Sequence, residues 1–387
     1  MAKAPATHAD LLIEIGCEDL PARYVVPLAN ALVNRISFGL FDRGISIEVL
    51  GDPSKPTFKS RGFATPRRIA VLVPAVPLRQ ADRTVERKGP KLAVALKDDV
   101  PTPAGLGFAR SCGVPFPQLE QEDGQLVFRS AQKGRPTAEL IPEIFEETLR
   151  AMDELVPKRM RWGAGEETFV RPVQWLVAML GSKAIPLARF GLKAGNATRG
   201  HRFHAPKAIV LKAPAEYEKK LLAAKVVADF GVRQAQVRNL IEAEAAKLEG
   251  TARITDELLA EVTALVEWPA VISGRMDERF MALPPEVIIA TIEHNQRYFP
   301  VFGNDGRLLP LFIAVANIRS KDVKQVVAGN ERVVRPRLTD ALFFWEQDRR
   351  RKLAEFAPEL DRVTFQKELG SLGDKARRVA KLAARVA

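Results

Sequence analysis

Apolar residues with strand-like and helix-like spacing succeed each other along residues 1–76, and this pattern limits the fold more than any other feature. Residues 10–15 read D-L-L-I-E-I, which is typical of a buried strand. Four apolar residues then recur at every fourth position, the spacing of one helix face: Leu28, Leu32, Ile36 and Leu40. Residues 45–50 and 67–73 indicate two more strands. This order predicts a sheet with packed helices, an N-terminal α/β region.

Residues 77–317 form the second predicted region, a central α+β region. Proline and glycine punctuate residues 74–136, which predicts loops with short elements, and a helix is predicted over 137–152. Three helical patterns predict a helical insertion at residues 215–267. The tripeptide N-D-G at residues 304–306 lies between two apolar runs and predicts a hairpin.

Residues 318–387 form the third predicted region, which is charged and rich in helical patterns. Leu372, Val379, Leu382 and Val386 lie on one apolar stripe, and no cap or stop residue follows them. We therefore expect a helical segment that leads into a further C-terminal part of a longer protein. Taken together, the three regions predict a multi-domain α+β fold of mixed sheets with packed helices.

The charge balance favours a polyanionic partner. Lys and Arg number 59 against 47 Asp and Glu, a formal net charge of +12 and a sequence pI near 9.8. Such a surplus suits nucleic acid or an anionic membrane. The N-terminus has neither a lipidation signal nor a basic amphipathic helix with large apolar anchors. The sequence has only two cysteines, too few for a disulfide framework, which favours a reducing compartment. We expect a cytoplasmic protein that binds nucleic acid and no membrane.

Several signatures of nucleotide and metal chemistry are absent from the sequence. It has no G-x-x-x-x-G-K-[ST] loop, no G-x-G-x-x-G after a strand and no C-x-x-C. His201 and His204 form the one close histidine pair, without an acidic third ligand nearby, which favours packing or RNA contact over metal binding. No nucleophile–base pair can be assigned. We expect no catalytic residue, no metal and no cofactor in this chain.

Positive charge is concentrated in a few stretches. Residues 59–91 hold nine basic residues and two acids, and residues 189–212 hold six basic residues and no acid. A surface without compensating carboxylates repels itself, and a polyanion relieves that repulsion. A further cluster lies at residues 332–337, whereas the charges at 349–352 share a helix with acids and indicate solvated surface. The candidate RNA-binding residues are Arg67, Arg68, Arg199, His201, Arg202, Arg335 and Arg337.

The opening of the sequence, L-L-I-E-I-G-C-E-D-L-P at residues 11–21, resembles the L-L-x-E-I-G-x-E-E-L-P opening of glycyl-tRNA synthetase β subunits. Cys17 and Asp19 stand where the family often has threonine and glutamate. Further matches follow in the family's order: T-P-R-R at 65–68, K-G-P at 88–90, A-G-L-G-F at 104–108, K-R-M-R-W at 158–162, F-V-R-P-V at 169–173, T-R-G-H-R-F at 198–203, V-E-W-P at 266–269, E-H-N-Q-R-Y-F at 293–299 and N-E-R-V at 330–333. They span nearly the whole chain.

The resemblance implies a role in glycine–tRNA ligase (EC 6.1.1.14). In that family the adenylating core, with ATP and Mg, lies on a separate α subunit, and the two subunits assemble as α2β2. The β chain supplies most of the tRNA recognition, so the α subunit and tRNA(Gly) are the expected partners. Family β subunits continue into an HD-like region and a C-terminal anticodon-binding domain. Their central region is similar to the B3/B4 module of the phenylalanine enzyme's β chain.

Two other functions stay open at this point. The central region could hydrolyse mischarged tRNA as an editing deacylase that depends on His201 or His204, although glycine needs little editing. The chain could also be a general basic RNA-binding module without a synthetase partner. Among the motif residues, we expect Trp268 and the aromatics at 343–345 to lie in the core, and His294 to be a buried histidine.

Overall fold

The computed structural model describes residues 7–50, 57–97 and 100–387. The chain divides into two compact units, one within residues 1–233 and 263–268 and the other formed by residues 234–262 and 269–387. This division differs from the three regions expected at 1–76, 77–317 and 318–387, because strands from residues 1–76 share a sheet with a strand at residues 173–180.

Within the described residues, the first unit contains many short strands and five α-helices. Its strands are β1 (His8–Cys17), β2 (Val49–Leu50), β3 (Thr57–Phe58), β4 (Arg61–Thr65), β5 (Arg68–Pro77), β6 (Arg83–Lys91), β7 (Leu96–Lys97), β8 (Val100–Pro101), β9 (Glu120–Glu122), β10 (Gln125–Gln132), β11 (Met160–Arg161), β12 (Thr168–Phe169), β13 (Val173–Leu180), β14 (Lys183–Ala184), β15 (Ala188–Arg189), β16 (Leu192–Lys193), β17 (Ala197–Arg199) and β18 (Ala208–Val210). Its helices are α1 (Ala22–Asp42), α2 (Leu92–Ala95), α3 (Pro103–Cys112), α4 (Thr137–Asp153) and α5 (Tyr217–Ala223).

A five-stranded antiparallel sheet of order β14-β13-β1-β5-β4 forms the centre of the first unit. Successive side chains of a strand face opposite sides of its sheet. Leu11, Ile13 and Ile15 of β1 accordingly join one core with α1 and α4, whereas Leu12 joins a second core with Trp175 on the other side. The strand predicted at residues 10–15 is confirmed, and so is the amphipathic helix that follows it.

Helix α1 is long and apolar enough to cross a membrane by length and composition. Its four apolar residues at four-residue spacing are fully buried against the sheet, as in a core helix: Leu28, Leu32, Ile36 and Leu40. Burial of each such side chain contributes about 1.5–3 kcal/mol. The helix ends before Gly44, whose φ of 71° lies in the left-handed region that glycine tolerates.

Residues 74–136, predicted to be loops with short elements, do contain short elements, and these pair into a sheet that the sequence did not indicate. Strands β6, β10 and β9 form a three-stranded antiparallel sheet, and α2 and α3 lie beside it. Prolines and glycines mark the ends of these elements: Thr102 caps α3 by accepting a hydrogen bond from the Gly105 N–H, and Gly113 ends it with a φ of 71°. The strand predicted at 45–50 is also shorter than expected, since only β2 (Val49–Leu50) forms there.

The remaining strands are β19 (Gly250–Ala252), β20 (Ala270–Arg275), β21 (Phe299–Gly303), β22 (Leu308–Ala316), β23 (Thr364–Gln366) and β24 (Gly370–Ser371). The remaining helices are α6 (Phe230–Lys247), α7 (Asp256–Ala264), α8 (Pro285–Ala290), α9 (Val323–Asp348) and α10 (Leu372–Val386). The helical insertion predicted at 215–267 corresponds to α5, α6 and α7, although strand β19 interrupts it. Both α6 and α7 cross a boundary between the units.

A four-stranded antiparallel sheet of order β19-β21-β22-β20 forms the centre of the second unit. The predicted hairpin at residues 304–306 joins β21 to β22, and Gly306 has a φ of 77°. Helix α9 packs Val334 and Leu338 into the core beside this sheet. Phe343 and Phe344 are 54% and 61% exposed, so their expected core position is wrong. The reason is that they follow the part of α9 that carries its buried residues.

Candidate nucleic-acid interface

The T-P-R-R segment places its two consecutive arginines in different environments. Arg68, the first residue of β5, is fully buried. Its Nη2 and Nε donate to Glu267 Oε1 at 3.1 and 3.4 Å, and its Nη1 lies 3.6 Å from Glu14 Oε1. Burial opposes the charge, but the two carboxylates outweigh it and raise the pKa of Arg68 above its ordinary value. Because these partners enclose Arg68, it is not available to RNA, which corrects its selection as a candidate.

Arg68 belongs to a buried polar network on the side of the sheet opposite α1. Glu14 Oε1 accepts hydrogen bonds from Trp175 Nε1 at 2.5 Å and from Thr198 Oγ1 at 2.8 Å. Thr65 Oγ1 donates to Glu267 Oε1 at 2.8 Å. The network therefore connects β1, β4, β5, β13 and β17 with residue 267, and charges that would be costly alone are compensated there.

The network also holds the T-R-G-H-R-F segment. Arg68 Nη1 donates to the Arg199 carbonyl at 2.6 Å and to Thr198 Oγ1 at 3.2 Å. At Gly200, an added Cβ would lie 2.6 Å from the Ala205 carbonyl oxygen, so only glycine fits this close approach. The backbone of this segment is thus fixed from beneath by buried side chains.

His201 closes the turn that follows β17. It is buried, its N–H donates to the Ala224 carbonyl at 3.0 Å, and its Nδ1 accepts from the N–H groups of Phe203 and His204, both at 3.2 Å. The Nδ1 atom thus holds the backbone of the two residues that complete the turn. His201 is therefore a turn-forming residue, and its selection as an RNA-binding candidate is corrected by its burial.

The same turn leaves other members of the segment in solvent. Arg199 is exposed, and its guanidinium carbon lies 5.5 Å from the centre of the Trp175 ring. Phe203 is 69% exposed. Arg202 is exposed as well, but its Nη2 pairs with Glu18 Oε2 at 2.7 Å and Asp19 Oδ2 at 3.2 Å. The stretch predicted to be free of acids thus receives carboxylates from a distant part of the sequence.

Arg67 lies at the edge of this surface. It is 8% exposed, and its guanidinium carbon lies 5.5 Å from the centre of the Trp175 ring. Burial lowers the pKa of Arg67, and the charges of Arg68 and Arg202 lower it further against the opposing effect of Glu267. The structure therefore brings Arg67, Arg199 and Arg202 together around Trp175 and the turn at residues 200–204.

The second unit holds the two other candidate residues. Arg335 and Arg337 are exposed on α9, and Arg335 Nε pairs with Asp277 Oδ2 at 3.1 Å. Both remain accessible to a polyanion, since an exposed ion pair is worth at most about 1 kcal/mol. RNA contact by Arg67, Arg199, Arg202, Arg335 and Arg337 stays a prediction.

The first four residues of the E-H-N-Q-R-Y-F motif lie in a π-helical turn, Thr291–Gln296. Glu293 is buried and accepts from Arg253 Nη1 at 2.9 Å with both oxygens. His294 is exposed, so the expectation of a buried histidine is wrong. The extra residue of a π-turn shifts the side chains relative to an α-helix, which sequence periodicity does not reveal. Arg297 ends the turn with a φ of 58°.

Two buried carboxylates were missed as site residues. Glu14 stands between apolar neighbours in L-L-I-E-I, and Glu267 in A-L-V-E-W-P. A charge inside an apolar run indicates a buried partner, since carboxylates are almost never fully buried unpaired. That signal would have identified both. In residues 7–50, 57–97 and 100–387, no three His, Cys, Asp or Glu side chains are grouped to hold a metal ion.

Comparison with known proteins agrees with the motifs. Residues 11–387 match the family described as "Glycyl-tRNA synthetase beta subunit". The chain is 46% identical over 379 residues to the glycine–tRNA ligase β subunit of Pseudomonas fluorescens strain SBW25, and 43% over 378 residues to that of Pseudomonas putida strain GB-1. It is 46% identical over 386 residues to that of Hahella chejuensis strain KCTC 2396.

Each alignment covers 98% of this chain and 54% of the relative. The chain thus spans about half the length of the curated relatives it matches. The family match covers residues 11–387, and the identity to these relatives is above 40% over almost the entire chain, which establishes the relationship. The chain belongs to the glycyl-tRNA synthetase β subunit family.

Proposed function

We propose that this chain acts in glycine–tRNA ligase as the part of the β subunit that binds tRNA(Gly) and assembles with the α subunit. The enzyme would be an α2β2 complex in the cytoplasm. ATP and Mg would bind at the α subunit, where the amino acid is adenylated. Support comes from the family, from the names of the relatives and from the net charge of +12. The B3/B4-like character of the central region stays a prediction.

The exposed arginine surface around the T-R-G-H-R-F segment carries the proposal. Arg199 has no carboxylate partner among the described residues and faces solvent. Phe203 offers an aromatic face on which an unpaired base can stack. Arg202 can exchange its exposed pair with Glu18 for a phosphate, because guanidinium binds phosphate with bidentate geometry. The buried network beneath fixes the backbone of this segment, which lowers the entropy lost on binding.

The test uses the full-length β subunit together with the α subunit. Arg199→Gln should weaken tRNA(Gly) binding and reduce the slope of log K against log salt by about one, if the guanidinium neutralises one phosphate. Arg307→Gln is a matched control, because Arg307 is exposed on a hairpin of the other unit. Charging by α alone at the rate of the complete enzyme would refute the role proposed for β.

The other two functions receive less support. In an editing deacylase that depends on His201 or His204, the histidine would need access to substrate. His201 is buried and its Nδ1 accepts two backbone hydrogen bonds, which leaves His204, the exposed member of the pair. A general RNA-binding module would not need an α subunit. Isolation of a complex with α from the native cell would exclude that alternative.

A further inference from the structure

We propose that Arg67 is the inner anchor of a phosphate-binding site in the first unit, with Arg199 as the second cation at the same indole ring. The ligand class is a phosphate oxyanion, either in an RNA backbone or as free phosphate or pyrophosphate. The proposal rests on the proposed tRNA binding only for the first of these sources.

Arg67 is an exception among the buried arginines of the first unit. Arg68 has Glu267 and Glu14 as partners. Arg233 is fully buried too, and its guanidinium donates to backbone carbonyls, among them Ala64 O at 2.6 Å and Thr263 O at 3.2 Å. Arg67 Nε is buried without a hydrogen-bond partner in the part of the chain that the structure describes. An unpaired buried polar group costs free energy and requires an explanation.

The position of Arg67 is fixed by its backbone. Its N–H donates to Thr65 Oγ1 at 3.3 Å, and its carbonyl accepts from the Cys17 N–H at 2.9 Å. The preceding Pro66 carbonyl accepts from the Leu20 N–H at 2.7 Å, and the following residue, Arg68, is held by the buried network. The cation is therefore kept at this edge before any ligand arrives, which is what a preorganised site requires.

The charges that face Arg67 are already engaged elsewhere. Glu267 accepts from Arg68 and Thr65, and Asp19 pairs with Arg202 at 3.2 Å. Arg68 and Arg202 add positive charge. Glu18 and Asp19 oppose an incoming anion, but both are exposed and paired, so solvent and Arg202 screen them. No carboxylate of the described chain forms a salt bridge with Arg67, and an external anion would supply the missing partner.

The second cation favours phosphate over a smaller anion. The guanidinium carbons of Arg67 and Arg199 both lie 5.5 Å from the centre of the Trp175 ring, one nearly buried and the other exposed. A guanidinium group presents several N–H donors in a fixed fork, which suits an anion with several oxygens. The exposure of Arg199 also gives a ligand its route from solvent.

Thermal unfolding of the full-length β subunit with and without inorganic phosphate or pyrophosphate tests the site, with sodium chloride at matched ionic strength as the reference. The wild-type midpoint should rise with phosphate, because a ligand that binds only the folded state stabilises it. Arg67→Gln should abolish this rise, while the midpoint without ligand stays equal or increases, since an unpaired buried cation has been removed. A merely structural arginine would instead lower that midpoint.

A second measurement identifies the source of the phosphate. If RNA supplies it, Arg67→Gln should lower the salt slope of tRNA binding by about one, as Arg307→Gln should not. If Arg67→Gln abolishes the rise of the midpoint with phosphate but leaves the salt slope of tRNA binding unchanged, the ligand is a free phosphate. If phosphate raises the midpoint of a β subunit that does not bind tRNA, the proposed function is refuted and the phosphate-binding site is still supported. An unchanged phosphate effect in Arg67→Gln, with a lowered midpoint, overturns the site.

Discussion

Replacement of Arg68 by methionine is the sharpest test of how the first unit is held together. Methionine keeps an apolar stem of similar length but removes the guanidinium. The variant loses the hydrogen bonds to Glu267, Thr198 and the Arg199 carbonyl. It also removes the cation that forms salt bridges with the buried Glu14 and Glu267. Removal of one partner of a buried pair costs about 3–5 kcal/mol.

This cost translates into a large shift of the unfolding midpoint. For a folded unit of about 150–250 residues, 1 kcal/mol corresponds to about 2–4 °C, so Arg68→Met should lower the midpoint of the first unit by about 6–20 °C. Burial opposes the charge of Arg68, but Glu267 and Glu14 raise its pKa above the ordinary value. Its contribution is therefore fully present below that value and is lost only above the raised pKa, so the shift should not vary around neutral pH.

The assay is thermal and urea denaturation followed by near-ultraviolet circular dichroism and by calorimetry, because two compact units need not unfold together. Arg67→Met is the matched control. It changes the same residue type one position earlier. Among the described residues, no carboxylate forms a salt bridge with Arg67. Addition of Glu267→Gln to Arg68→Met should restore part of the stability, since a buried carboxylate that has lost its salt bridge to Arg68 is then removed. Equal midpoints for the Arg67 and Arg68 variants would refute the assignment of stability to this network.

Three further outcomes follow from single contacts. Burial, followed by the charge of Asp19, raises the pKa of the Cys17 thiol, so an alkylating reagent should modify Cys112 in the native protein and Cys17 only after unfolding; two fast thiols would contradict this. Gly16→Ala would place a Cβ 1.8 Å from an atom of the Trp175 indole and should destabilise the first unit by about 1–3 kcal/mol or more. Gly107 has open space around it, so Gly107→Ala should not lower the midpoint in the same denaturation assay. Phe203→Ala should weaken tRNA binding by about 1–3 kcal/mol in a filter or anisotropy assay without changing the midpoint, and unchanged affinity would exclude base stacking.

Local patterns in the sequence predicted the parts of the fold that local forces specify. The four-residue spacing from Leu28 to Leu40 fixes which face of α1 is apolar, and the structure buries that face. The N-D-G turn at residues 304–306 likewise specifies its hairpin through backbone geometry alone. Neither feature depends on where the rest of the chain lies.

Pairing between strands that are distant in the sequence could not be predicted from local patterns. Strand β6 reads R-T-V-E-R-K-G-P-K, which has almost no apolar alternation, and it is mostly exposed. It is a strand because β10, about forty residues later, pairs with it from Arg83↔Gln132 to Lys91↔Gln125. Such a strand is stabilised by its partner and by cross-strand contacts, and its own sequence carries little of that information.

In the candidate site, the sequence likewise does not reveal which charged side chains are buried and which are paired. Arg67 and Arg68 are identical in type and adjacent, so no composition argument separates them. The difference arises at β5, which begins at Arg68 and commits that side chain to one side of the sheet. Arg202 illustrates the converse, because its carboxylate partners Glu18 and Asp19 precede it by more than 180 residues. A stretch without acids in sequence is therefore not a surface without acids in space.

The register of the central sheet explains why the site has these residues. In the antiparallel pairing, Gly16 of β1 lies opposite Arg68 of β5 and opposite Trp175 of β13, so the three occupy one row across the sheet. Glu14, two residues away on the same face, is then a diagonal neighbour of Arg68, within reach of a long side chain. Gly16 must lack a side chain because the indole of Trp175 lies over it. A slip of β5 by one residue would turn Arg68 toward the apolar core beneath α1 and leave Glu14 without its cation. The ion pair therefore selects the register that also places Arg67 at the edge of the site.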